Sequence, residues 1–170
     1  MSNEWKNAVW QEKARHKPAR FYIRDEFEEI IKEENIDRRR FHEASKFEYE
    51  NIIRKFYYAF ADHQTYPKIE LDKMHSRFRK ELKKSEIVRW KTNWVEYIEM
   101  LRHLIPDKET ASELYLILSE GWVYEGFASE IISVLSETDA GLRDFFIVSK
   151  KFEWTVDHSD DGECMYLISV

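Results

Sequence analysis

Six histidines, one cysteine and 33 acidic side chains in 170 residues could support metal binding or acid–base chemistry. Their spacing argues against both. The histidines are His16, His42, His63, His75, His103 and His158. None forms an H-x-x-x-H pair, and Cys164 has no second cysteine, so the clustered ligands of a zinc site are not present in the pattern. The stretch D-H-S-D-D-G-E, 157–163, has the composition of a calcium loop. A helix–loop–helix calcium site spreads its ligands over about twelve residues and ends in a Glu that opens a helix. Here Cys164-Met165-Tyr166-Leu167 reads as a strand, so the acidic stretch is expected to be a hairpin tip, with Asp161-Gly162 supplying the turn. Cys164 at the mouth of that strand suits a small core hydrophobe. As a thiolate nucleophile it would need a base, and His158 is the one a hairpin could bring near. There is no G-x-S-x-G elbow and no glycine-rich phosphate loop. The letters E-x-K at Glu81-Leu82-Lys83 fall in an amphipathic helical pattern. No catalytic residue, metal ligand or cofactor is assigned.

Charge is distributed unevenly. Residues 106–170 hold 4 Lys+Arg against 14 Asp+Glu, a net −10, which leaves 23 against 19, or +4, for residues 1–105. A negative field over the C-terminal part steers basic partners and repels nucleic acid. Two basic tracts, Arg38-Arg39-Arg40 and Arg77-Phe78-Arg79-Lys80 with Lys83-Lys84, are the only footing for nucleic-acid binding. The remaining chain is acidic, so a solvated face paired with neighbouring Glu residues is the expectation. No stretch approaches the roughly 20 apolar residues of a membrane span. The first residues lack a signal-type apolar run, and a cytoplasmic location is expected.

The elements that must position these groups follow from periodicity. Glu4 to Arg15 reads as a helix up to Pro18. Asp25 to Glu34 places Phe27, Ile30 and Ile31 on one face. Ser45-Lys46-Phe47-Glu48 has capping-box form. After it, Tyr49, Ile52, Ile53, Phe56, Tyr57 and Phe60 trace a wide apolar helical stripe. Residues 70–84 read as a further helix. Residues 86–91 read as a short strand, although Ile87, Trp90, Trp94 and Ile98 also fit one long helix over 86–104. Asn93 with Glu96 marks a helix start, and that helix runs to Pro106. Residues 113–118 form a continuous apolar run, as a strand covered on both faces would. Trp122 to Glu125, between Gly121 and Gly126, reads as a turn or short extended piece. Residues 127–137 are a helix, and 144–149, 152–156 and 164–169 are strands. Lys150-Lys151 fits a tight turn poorly, so the strand from Phe152 is expected to follow a bend instead. The expected class is α+β in one domain, 1–170. A helical part, 1–84, packs with a mixed or antiparallel sheet of four or five strands in an α/β part, 85–170.

The stretch LYLILSEGWVYEGFASEIISVL followed by DFFIVSKKFEWTV resembles small bacterial cytoplasmic proteins encoded beside secreted polymorphic toxins, which act as their immunity partners. The likeness covers about residues 90–156 and lies in a strand, a W-x-Y-E-G turn, a helix and F-x-I-x-S-K-K-F-x-W. It implies a protein that neutralises a cognate toxin, here a basic toxin domain, by occluding a surface the toxin needs. Binding surfaces differ among such families, so no residue role is carried over. The docking face expected from charge and aromatic content is Glu120, Trp122, Tyr124, Glu125, Asp157, Asp160, Asp161 and Glu163. The competing readings are a small enzyme using carboxylates or His158 near the last hairpin, and a nucleic-acid-associated regulator working through the 77–84 tract.

Overall fold

A computed structural model describes residues 23–65, 88–118, 121–138, 144–159 and 162–168. The expected helices at 4–15 and 70–84, and the 77–84 basic tract, lie outside these residues. The described elements run α1 (Ile23–Glu33), β1 (Phe41–Glu43), α2 (Tyr49–Phe60), β2 (Val88–Lys91), α3 (Trp94–Leu104), a 3-10 turn (Asp107–Glu109), β3 (Glu113–Leu118), β4 (Val123–Phe127), α4 (Ala128–Glu137), β5 (Phe145–Ser149), β6 (Trp154–His158) and β7 (Glu163–Ile168). The class is α+β. The seven strands form one antiparallel sheet in the order β1-β4-β3-β5-β6-β7-β2.

The helical stripes bury as their periodicity requires. Phe27, Ile30 and Ile31 of α1 are buried, and so are all six stripe residues of α2. Helix α3 begins at an N-cap, Asn93, whose side chain accepts from the Glu96 N–H, satisfying one orphan donor of the first turn. The long helix over 86–104 does not form. Val88–Lys91 instead pairs with β7, with Trp90 opposite Cys164.

Two further expectations are corrected. Ser45 does not cap α2: Glu48 occupies the N-cap with no side-chain bond, and the Glu48 N–H donates to the Ser45 carbonyl at 2.8 Å. Ser45 therefore begins a turn that precedes the helix. The sheet has seven strands rather than four or five. Val123–Phe127 forms a full strand, β4, and the three-residue β1 adds to its outer edge.

Helices α1, α3 and α4 lie on one side of the sheet. Phe27 of α1 packs on Tyr124, with ring centroids 5.3 Å apart, and Tyr97 of α3 on Phe145 at 5.9 Å. Helix α4 packs beside both α1 and α3. Helix α2 lies on the other side, where Phe56 meets Phe146 at 5.0 Å.

Strand β1 is held close to β4. A Cβ added at Gly126 would lie 2.6 Å from Phe41 Cδ2 and 2.7 Å from the Arg40 carbonyl oxygen. Arg40 itself stacks over Phe127 at 4.2 Å and donates from Nε to Glu130 at 2.5 Å, tying the start of β1 to α4. The obstructing oxygen belongs to backbone that is anchored on both sides. Gly126→Ala is therefore expected to destabilise the protein by about 2–3 kcal/mol through overpacking. A urea-unfolding midpoint equal to wild type would contradict this account.

Candidate functional site: a strained hairpin tip on the open part of the sheet

Three hairpins organise the C-terminal part, and each places a residue with positive φ at the same point of its turn. In β3–β4, the Gly121 N–H donates to the Leu118 carbonyl at 2.7 Å and Gly121 has φ 85°. In β6–β7, the Gly162 N–H donates to Ser159 at 3.0 Å with φ 80°. In β5–β6, the Phe152 N–H donates to Ser149 at 2.9 Å, and Phe152 has φ 57°. Glycine takes this conformation at no steric cost, whereas a side chain with a Cβ is opposed by roughly 1–2 kcal/mol. The Lys150-Lys151 step that fits a tight turn poorly is thus part of a turn whose left-handed position is filled by an aromatic residue.

Several contacts hold this tip in place. The Ser149 hydroxyl accepts from the Glu153 N–H at 2.9 Å, beside the bond from Phe152. The Phe152 ring stacks on Tyr115 of β3 at 5.7 Å and 28°. The Lys150 ammonium lies 4.0 Å over the Tyr115 ring, 2.9 Å from Glu125 Oε2 and 3.7 Å from Glu113. His42 of β1 approaches the same Glu125 oxygen at 3.7 Å. The register accounts for this assembly. His42 is opposite Glu125, Glu125 is opposite Tyr115, and Tyr115 is opposite Val148. Four strands therefore contribute one cross-strand row to a single face of the sheet. Helix α2 covers the adjoining row, where Phe146 meets Phe56. Glu113, Tyr115, Glu125, Lys150 and Phe152 all stay half-buried, so this part of the face is open to solvent. Beside it is a cleft of about 760 Å³ lined by Lys108, Glu109, Glu113, Phe127, Lys151 and Glu153, among others.

Burial would lower the Lys150 pKa, but the hydrogen bond and charge of Glu125 outweigh it and hold the ammonium above its usual value. Tyr115 is raised, first by burial, with Glu125 adding to it and Lys150 opposing.

The described members of the expected docking face are divided between the two sides of the sheet. Glu120, Asp160 and Asp161 lie outside the described residues. Tyr124 is fully buried on the α1 side, where its hydroxyl donates to Glu28 at 3.0 Å. Glu125, its neighbour in the strand, faces the opposite side. Trp122 is 7% exposed, with the Arg24 guanidinium 5.0 Å above its ring. Arg24 also donates to Glu43 at 2.9 Å, and the Tyr49 hydroxyl donates to the same carboxylate. These groups tie α1, β1 and α2 together. Asp157 is buried on the α2 side, in register with Phe146. Glu163 is half-buried opposite Lys91, away from the Lys150 cluster. Only Glu125 belongs to the site described above. His158 and Cys164, the candidate base and thiol, are cross-strand partners and are both buried, His158 stacked on Phe145 at 5.3 Å. Among the described residues no group of three or more His, Cys, Asp or Glu could hold a metal ion. No described helix is long and apolar enough to cross a membrane.

The F-x-I-x-S-K-K-F-x-W stretch at the centre of this site lies within the span of a family model that matches residues 19–170. The chain belongs to that family, described as a family of unknown function (DUF6756). No curated protein and no solved structure matches it. Tyr115, Glu113, Lys150 and Phe152 were not singled out by their types or spacing. The signal in the sequence was the poor fit of Lys150-Lys151 to a turn that must nevertheless exist between two strands.

Two outcomes are expected. Phe152→Ala should be less stable than Phe152→Gly by roughly 1 kcal/mol, because both lose the ring but only alanine opposes the left-handed backbone. Equal unfolding free energies would remove the strain argument. For Lys150, a pKa raised on folding means the ammonium stabilises the fold. That contribution is present below the unfolded value of 10.5 and is lost as pH rises through the raised folded value. The stability gap between wild type and Lys150→Met should hold from neutral pH to about pH 10 and shrink above it. A gap independent of pH across that range would refute the pairing.

Proposed function

We propose that this chain is a protein-binding immunity protein that neutralises a cognate bacterial toxin in the cytoplasm by covering a surface the toxin needs. The observation that carries the reading is the Lys150 cluster. Two stacked aromatic rings and a lysine held between two carboxylates stand on an open part of a sheet, each fixed by a neighbour within the chain. A surface ordered in advance loses little side-chain entropy when a partner arrives, and rigid aromatic groups are what interfaces use as anchors. The net −10 of residues 106–170 adds a preference for a basic partner. The resemblance of residues 90–156 to immunity proteins points the same way.

The product of the adjacent gene should be toxic when expressed alone and harmless when this chain is present. Their association should slow as salt is added, because opposite charges speed encounter and salt screens them. A neighbour that is harmless alone, or that stays toxic in the presence of this chain, would exclude the function.

A further inference from the structure

We propose that the β5–β6 hairpin tip, residues 149–153 with Tyr115 beside them, is the surface on which a basic protein partner docks. The inference rests on the binding reading above and adds where the partner sits and what it meets. The fold needs only a glycine at position 152, as it uses at Gly121 and Gly162 in the two neighbouring hairpins. An aromatic residue stands there instead, at φ 57°, and its ring is laid against Tyr115 on a face that α2 leaves uncovered. Local strain kept in place by its surroundings marks functional positions more often than incidental ones.

The charge around the tip sets the partner's chemistry. Lys150 is consumed within the chain by Glu125 and Glu113. Over the tip and its adjoining cleft together, Glu109, Glu113, Glu125 and Glu153 outnumber Lys108, Lys150 and Lys151. This local excess has the same sign as the net −10 of the C-terminal part. A basic surface meets complementary charge here, with the Tyr115–Phe152 pair as its apolar anchor.

The test uses the adjacent gene's product as the probe, in a binding titration with the full chain. Phe152→Gly removes the ring while keeping the turn in a conformation glycine prefers, so it separates binding from folding. It should bind at least tenfold more weakly than wild type and unfold cooperatively. Lys151→Glu alters an exposed side chain and cannot disturb packing. It should bind a basic partner several-fold more tightly at low salt. Val95→Ser, exposed on α3 at the other side of the sheet, should bind as wild type does. If wild type binds and both Phe152→Gly and Lys151→Glu match it, the surface is wrong and the binding reading stands. If wild type does not bind, both fall together.

Discussion

The structure depends on strand β3 being paired along both edges. Glu113–Leu118 is a nearly unbroken apolar run, and Leu114, Leu116, Ile117 and Leu118 are all buried. A strand this apolar is poorly suited to the margin of a sheet. Strands β4 and β5 take its two edges, and the remaining strands extend outward from those. Each addition moves the unpaired edge further from the core, until it is reached by two short strands, β1 and β2. A short edge strand offers little backbone for unwanted pairing. The helices then divide between the faces, with α1, α3 and α4 on one side and α2 on the other. Among the described elements one helix must serve a whole face of a seven-stranded sheet. It covers the row through Phe146 and leaves the row through Tyr115 open.

That open row explains why the β5–β6 tip is built as it is. Farther along the same row Val148 and Thr155 are buried. At Tyr115 the hairpin tip is turned so that the Phe152 ring rests on the tyrosine and the Lys150 stem crosses toward Glu125. A lysine stem can cover apolar surface while its ammonium stays hydrated or paired. The left-handed backbone at Phe152 opposes this arrangement. The Ser149 bonds, the ring stack and the Lys150 ion pair offset it. The tip is therefore fixed by tertiary contacts rather than by its own propensity.

This division between local and tertiary control sets what could be read from the sequence. The helices α1, α2, α3 and α4 were legible because their apolar residues recur with helical period over three or four turns. Strand β3 was legible from its continuous apolar run, and the last hairpin from Asp161-Gly162. Strand β1 was not, because three residues, Phe41-His42-Glu43, carry too few alternations to be distinguished from a loop. The described members of the expected docking face are separated for a different reason. Trp122, Tyr124 and Glu125 were grouped because they adjoin in sequence. Strand geometry sends neighbouring side chains to opposite faces, so Tyr124 enters the core beside Phe27 while Glu125 joins Lys150. A period-two reading of W-V-Y-E-G would have separated them. No such rule would have brought Lys150 to Tyr115, which depends on the register between β3 and β5.

Among the described groups, every displaced titration moves away from neutrality. A general acid or base works best when its pKa lies near the working pH. Here the displaced groups move the other way. Lys150 is raised by Glu125 against its own burial. Tyr49 and Tyr124 are pushed up by burial, with Glu43 and Glu28 adding to it. For Glu130, burial raises the carboxyl, but the Arg40 and Ser129 hydrogen bonds bring the net shift below the usual range. Each displacement fixes the group in one protonation state around neutrality. A lysine or carboxylate locked in its charge acts as a constant feature of the surface potential, which a partner can be steered by and matched to.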